Sequence, residues 1–356
     1  MQKPLVTARW WQQNLLKWHD QHGRQGLPWK DPTTPYAVWV SEIMLQQTQV
    51  ATVIPYFNNF MAQLPDIAAL AKAPLETVLR LWAGLGYYAR ARNLHKSAQI
   101  IMQQHGGIFP SELEKVTALP GIGLSTAGAI LAQSFSIPHP ILDGNVKRVL
   151  MRFYALPGVP DDPNIKKTLW EFSRSFTPKA RVAQYTQAIM DLGATLCTRK
   201  KPACTICPVQ KKCQAFLTQS QEDYPAAKKQ AVKPIKRLRF LFIEKNNCFL
   251  LIQRPLAGIW GGLWSVPECP LNKKVENVCQ EIGIKICEIK TASYSRHSFT
   301  HFHLEYQPIL IKSKTISKTR LASPAYAWYK LETICDLGLP APIYRFFHNL
   351  QLERAQ

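Results

Sequence analysis

Residues Leu113–Leu131 read LEKVTALPGIGLSTAGAIL. The stretch predicts an apolar helix, a Pro-Gly-Ile-Gly turn and a second helix beginning near Ser125. Gly121 and Gly123 permit positive φ and let backbone N–H groups approach a ligand closely, and the N-terminus of the following helix adds its dipole. Such a turn suits one phosphate of a nucleic-acid backbone, holding a duplex in place without reading its sequence. Many helical hairpins carry glycine and bind nothing, so the motif gains weight only from its surroundings.

Upstream, from residue 5 to about 195, apolar residues recur at helical spacing, and Pro and Gly interrupt them often enough to predict many short helices. Downstream comes ILDGNVKRVLMRF, where Asp143 or Asn145 can cap the helix that follows. Helix N–H groups there would keep Asp143 ionised and aimed. Further upstream, PYAVWVSEIMLQQTQVATVIPYF predicts a helix from about Tyr36 to Ile54. Glu42 lies among Val38, Trp39 and Leu45 on its face. Desolvation there would raise the carboxyl's pKa and make it a proton donor near neutral pH. Taken alone, this helix reads more simply with Glu42 at the margin of an amphipathic surface or paired with an arginine.

Cys197, Cys204, Cys207 and Cys213 form C-x6-C-x2-C-x5-C. Four thiolates this close can reach one metal centre, and soft sulfur selects zinc or an iron–sulfur cluster. The single C-x2-C pair departs from the paired knuckles of a zinc ribbon and tips the reading modestly toward iron–sulfur. Arg199, Lys200 and Lys201 are interleaved with these cysteines and suit phosphate contact, or a solvated basic face. The other five cysteines (Cys248, Cys269, Cys279, Cys287, Cys335) read as buried small hydrophobes.

Lys and Arg number 44 against 23 Asp and Glu, a net charge of +21, which favours a polyanionic partner. No apolar run is long enough for a membrane span, and the N-terminal residues do not resemble a secretory signal. A soluble, cytoplasmic, nucleoid-associated bacterial protein is expected, monomeric and without a membrane partner. Tyr224–Lys236 reads as a linker. Beyond it, RLRFLFIEKNNCFLLIQRP and FHLEYQPILIK predict β-strands with a turn at Asn246–Asn247. The expected architecture is an all-α helix–hairpin–helix region over 1–223 (hairpin about 113–131, cysteine loop 197–213), a linker over 224–236, and an α/β domain over 237–356.

Together, SEIMLQQTQV, WAGLGYYARARNLH, LPGIGLSTAGAI, ILDGNVKRVL and the cysteine spacing resemble the adenine DNA glycosylases of the MutY type. These belong to the helix–hairpin–helix superfamily that also contains endonuclease III. The resemblance implies excision of adenine opposite 8-oxoguanine or guanine in double-stranded DNA, with the base flipped out. It makes Glu42 the proton donor, Asp143 the group that stabilises or captures the sugar cation, and Asn145 its support. It wedges Gln47 and Tyr87 into the duplex, whose plainer readings are a surface amide and a core aromatic, and assigns a 4Fe-4S cluster to the cysteines.

At position 125, where bifunctional relatives carry a lysine, stands Ser125, so an efficient lyase step is not expected. RPLAGIWGGLWSVPE and RHSFTHFHL resemble a Nudix-like module that reads 8-oxoguanine, with Phe299, Thr300 and His301 at the lesion-contacting loop, Thr300 standing where Ser is common. ENVCQEIG keeps only Glu281 of the acidic metal-binding positions, which argues against nucleotide hydrolysis. A bifunctional endonuclease III-like enzyme and a catalytically silent damage binder are the competing readings.

Overall fold

The computed structural model describes residues 6–227, 232–316 and 326–355. They pack into two units, one from Met1–Lys72 with Asn93–Lys229, the other from Ala73–Arg92 with Gln230–Gln356.

The first unit is helical, as the short apolar periods predict. Along the chain its elements are α1 (Ala8–His22), α2 (Pro35–Leu45), α3 (Val50–Gln63) and α4 (Ile67–Lys72). After α5 (Leu75–Trp82), which packs in the second unit, come α6 (Ala89–Gln104), α7 (Leu113–Thr117), α8 (Leu124–Phe135), α9 (Gly144–Tyr154), α10 (Pro163–Phe176) and α11 (Val182–Asp191). The core of this unit is aromatic: Trp11 stacks on Phe176 at 4.5 Å and meets Phe153 edge-on at 4.6 Å. Cys197, Cys207 and Cys213 pack against it.

Two sequence expectations change here. The helix expected over Tyr36–Ile54 is two helices, because Gln47 adopts left-handed backbone (φ 59°) and the turn Gln46–Gln49 separates α2 from α3. Apolar residues flank this turn on both sides, and no Gly or Pro marks it, so periodicity runs straight through. Of the two hairpin glycines, only Gly121 uses positive φ (80°). Gly123 is an extended N-cap (φ −88°) at the start of α8.

The second unit combines a mixed sheet with α5 and two later helices. Its strands are β1 (Ile235–Lys245), β2 (Cys248–Gln253), β3 (Trp264–Ser265), β4 (Glu268–Pro270), β5 (Ile284–Thr291), β6 (Ser295–Ser298), β7 (His303–Ile316) and β8 (Tyr326–Lys330). The main path runs β3-β2-β1-β7-β5, with β4 on β1, β6 on β7 and β8 on β2. β1 and β7 are parallel, in register from Ile235↔His303 to Glu244↔Lys312. Asn246 and Asn247 join β1 to β2 with positive φ at both positions (49° and 60°), the geometry a tight antiparallel hairpin favours. α12 (Val275–Glu281) packs on β5, and α13 (Ala341–Ala355) sets Phe346 and Phe347 against Phe242.

Part of the region expected to be one helical domain therefore joins the sheet unit. There Trp264 Nε1 donates to Glu76 Oε1 at 2.6 Å, and Arg92 Nη1 donates to the Gly261 carbonyl at 2.9 Å. Within the expected linker, residues 228–231 lie outside the described residues, while Ile235 and Lys236 already belong to β1. Cys269 and Cys279 are buried in the sheet core as expected, and Cys248 and Cys335 are half-buried. Cys287 is exposed, because it falls on the outward phase of β5.

One close approach fixes how α8 meets the segment leading to Asp143. A Cβ added at Gly128 would lie 2.6 Å from the Pro140 carbonyl oxygen. Gly128→Ala gains helix propensity of about 1 kcal/mol but must push backbone aside, an overpacking cost of about 1–3 kcal/mol. The net expectation is a lower Tm by thermal unfolding, and an unchanged or raised Tm would show that the two segments separate freely.

Candidate active site

α2 begins with Thr34, whose hydroxyl accepts from the Ala37 N–H at 3.1 Å, followed by Pro35 in the first turn. The helix is buried on nearly every side, including Val38, Trp39, Ile43 and Met44. Glu42 emerges from this apolar surface. Its Oε1 accepts from Gln133 Nε2 of α8 at 2.9 Å. Burial pushes the carboxyl up to about 7, and the nearby Asp143 charge adds to the rise. The Gln133 bond, Lys30 and Arg24 pull the other way.

Asp143 caps α9, accepting from the Val146 N–H at 2.7 Å, so the capping role read from Asp-Gly-Asn holds. Asn145 Nδ2 stands 3.5 Å from Asp143 Oδ2. The N–H bonds from Val146 and Asn145 lower the pKa of Asp143, as expected for a cap. Burial outweighs them, however, and the group lies above its ordinary value. Its approach is set from α8: Ser125 Oγ accepts from the Leu142 N–H at 2.8 Å. Position 125 thus places a hydroxyl, bonded to the backbone next to Asp143, where a lysine would place an amine.

These groups share a cleft of about 1080 Å³ in the first unit, lined by Glu42, Gln47, Gly123, Ser125, Asp143 and Asn145 among others. Gly121 is exposed at the hairpin turn, where Asn93 lies 3.0 Å from the position its Cβ would take. Arg199, Lys200 and Lys201 form an exposed turn after Cys197 and do not line the cleft.

Several residues of this site are missing from the sequence reading. Gln133 is one. Arg148 is another: its Nη2 reaches Asn145 Oδ1 at 2.8 Å and the Gly193 carbonyl at 2.6 Å, while its Nε reaches the Cys197 carbonyl at 2.7 Å. Arg24 lines the cleft and pairs with fully buried Asp191 (Nη2 to Oδ1, 2.7 Å), which also accepts from Gln187 at 2.6 Å. Only Gln133 left a sequence signal, a polar side chain within the apolar run of α8.

The four clustered cysteines line one cavity with Val149, Phe153 and Leu196. Arg152 of α9 wraps this loop, donating to the carbonyls of Thr198 (2.6 Å), Arg199 (3.1 Å) and Gln221 (2.9 Å) and lying 3.4 Å from Cys197 Sγ. Among the described residues, no three ligating side chains converge tightly enough to hold a single metal ion. Four soft thiol donors around one cavity suit either zinc or an iron–sulfur cluster.

In the second unit, Tyr87 is 46% exposed with left-handed backbone (φ 50°), whereas Tyr88 is buried, so the core-aromatic reading of Tyr87 fails. The Arg90 guanidinium lies 5.4 Å from the ring centres of both Tyr87 and Trp82. The Tyr87 hydroxyl is 2.8 Å from Thr300 Oγ1. Phe299 stacks on Phe302 at 4.5 Å and packs on Trp260 at 5.2 Å, while Thr300 and His301 are exposed at the loop tip. Glu268 and Glu281, the acidic groups near the Nudix-like positions, are paired with Arg254 and Lys273.

Residues 40–175 match the HhH-GPD superfamily of base excision DNA repair proteins, and residues 239–349 match the NUDIX domain. An adenine DNA glycosylase of Buchnera aphidicola subsp. Acyrthosiphon pisum is 41% identical over 349 residues, covering 97% of this chain and 99% of the relative. The chain belongs to the adenine DNA glycosylase family. The human adenine DNA glycosylase is 42% identical over 403 residues, covering 95% of this chain and 73% of its own. Among solved structures, an endonuclease III–DNA complex matches at TM-score 0.51 and 20% identity, over 60% of this chain and 98% of that one. A thermostable thymine-DNA glycosylase matches at TM-score 0.53 and 22% identity, over 59% and 97%. These structures share the helical fold. The family makes this chain a base excision repair glycosylase, a hydrolase of N-glycosidic bonds whose partner is DNA. Among the described residues no helix is long and apolar enough to cross a membrane.

Raising the Glu42 pKa has a thermodynamic counterpart. The folded state binds this proton more tightly than the unfolded chain, so ionising Glu42 costs stability from above the ordinary carboxylate range until about pH 7, where the cost is complete. The upper bound is about 3 kcal/mol. Glu42→Gln is therefore expected to raise Tm at pH 8 and to change it little at pH 4.5. An equal change at both pH values would mean that the carboxyl is not held protonated by burial.

Proposed function

We propose that this glycosylase removes adenine mispaired with 8-oxoguanine or guanine, and that it does so without an efficient lyase step. The observation that supports this most is the pairing in one cleft of Glu42, held near pKa 7, with Asp143, oriented as a helix cap. Two carboxyl groups in unlike environments divide the work of breaking a glycosidic bond.

With adenine flipped into the cleft, Glu42 donates its proton to an imidazole-ring nitrogen of the base. The electrons of the C1′–N9 bond then leave with a neutral adenine. The sugar becomes oxocarbenium-like, and Asp143 stabilises the cation or captures it as a transient ester. Glu42, now ionised, takes a proton from the water that attacks C1′. Asn145, bridged to Arg148, holds Asp143 in place. Ser125 has no amine to form a Schiff base with the sugar, so the product is an intact abasic strand.

The remaining residues serve docking and reading. Gly121, Gly123 and the first turn of α8 receive a phosphate, and Arg199, Lys200 and Lys201 contact the backbone near the cysteine loop. Gln47 and Tyr87, both exposed and both in left-handed backbone, are the wedges. Phe299, Thr300 and His301 read 8-oxoguanine, with Thr300 tied to Tyr87 by the 2.8 Å contact. The sheet unit, which includes Ala73–Arg92, is the recognition domain, the helical unit is the catalytic region, and the protein acts as a monomer. Cys197, Cys204, Cys207 and Cys213 would hold a 4Fe-4S cluster, which when bound supplies four metal–sulfur bonds that order the loop.

The test is a single-turnover assay on duplexes with adenine opposite 8-oxoguanine or guanine, products split with and without alkali. Strand breaks are expected only after alkali, and fastest opposite 8-oxoguanine. Glu42→Gln is expected to slow excision by about 10²–10⁴-fold while binding is retained. Breaks without alkali would overturn the monofunctional reading, and a Glu42→Gln protein of undiminished rate would remove Glu42 as the acid.

A further inference from the structure

α8 buries Ala127, Ala129, Ile130, Leu131 and Ala132, and yet carries Gln133 near its C-terminal end. Gln133 stands about two helical turns beyond Thr126, so the two side chains share a face. Thr126 Oγ1 lies 3.5 Å from Gln46 Nε2, and Gln133 Nε2 donates to Glu42 Oε1 at 2.9 Å. The polar side chains of this face therefore meet α2 and the turn that follows it.

We propose that Gln133 is a positioning residue for Glu42: by donating to Oε1 it fixes the carboxyl group's rotamer and directs the transferable proton to Oε2. The inference deepens the reading of Glu42 as the acid and rests on it. An amide N–H bonds best to the oxygen with undivided lone pairs, so in the acid form the hydroxyl belongs on the other oxygen. The same bond is stronger to the carboxylate than to the acid. Gln133 therefore works against the burial that raises Glu42, keeping a group that gives up its proton from holding it too tightly.

Asp143, Lys30 and Arg24 are the charges that act on Glu42 beside this bond. Asp143, at the cap of α9, raises Glu42. Lys30 and Arg24, between α1 and α2, lower it. Arg24 is engaged by Asp191, which also has His19 at 3.7 Å. Gln133 is uncharged, so its effect comes through direct bonding and is lost when the donor is lost.

The test reads the carboxyl itself. In full-length protein labelled with 13Cδ-glutamate, Glu42 is identified by the resonance missing from Glu42→Gln, and its titration is followed in wild type and Gln133→Met, which keeps bulk and removes the donor. The midpoint is expected to rise by about one unit. The alkaline limb of single-turnover adenine excision is expected to move upward with it. An unmoved midpoint in folded protein overturns the inference, as does a uniform loss of rate and Tm with both midpoints in place, the signature of packing alone. A carboxyl midpoint that rises while the alkaline limb stays put overturns the assignment of Glu42 as acid, and with it the proton path. Gln133→Leu carries the same expectations if the methionine variant does not fold.

Discussion

Desolvation raises the pKa of Glu42 at the wall of the cleft, and α2 and α8 meet around this carboxyl group. α2 is apolar on almost every side, so a carboxyl on it is either neutral or a charge held at a cost. α8 packs across α2 and supplies the amide that answers one carboxyl oxygen. The same helix reaches the Asp143 segment through Ser125 and through the close approach at Gly128. One helix therefore contacts Glu42 on one side and the segment leading to Asp143 on the other. Asp143 accepts from the Val146 N–H, which favours its charge, and Glu42 accepts from the Gln133 amide, while burial raises the pKa of both.

α9 carries the second constraint. Its N-cap is Asp143, and its next turns carry Arg148 and Arg152, whose guanidinium groups accept nothing and must be satisfied by acceptors. Arg148 binds Asn145 and the carbonyls of Gly193 and Cys197, and Arg152 binds the cysteine loop. At Gly193 a Cβ would lie 2.5 Å from the Asn145 Cβ, so the chain entering the loop passes against the residue that supports Asp143. Order in the cysteine loop and the aim of Asp143 are thus two ends of the same helix.

Much of this was legible in the sequence because it is local. The hairpin at 113–131, the cap at Asp143 and the Asn246–Asn247 turn are read from adjacent residues and form as read, save that Gly123 is an extended N-cap. Glu42 stood out as a carboxylate in an apolar stripe, although its helix alone favoured a marginal or paired Glu and its role came from the family resemblance. The break at Gln46–Gln49 was not legible, since a left-handed glutamine leaves no compositional mark. Gln133, Arg148 and the Arg24–Asp191 pair escaped because their partners lie far along the chain, and residue type alone does not say which acceptor a polar side chain will find. Likewise, the polar contacts that place Ala73–Arg92 with the sheet unit reach from Glu76 to Trp264 and from Arg92 to Gly261, beyond what any window discloses.

If a buried, protonated Glu42 supplies the proton that releases the base, excision must fade as that carboxyl group ionises. The most direct measurement is the pH dependence of the wild-type single-turnover rate on a duplex with adenine opposite 8-oxoguanine, taken across the neutral range with binding saturated. The rate is expected to fall as pH rises through about 7, approaching tenfold per pH unit beyond the midpoint. A rate that stays level through that range, or that rises with pH, would contradict it.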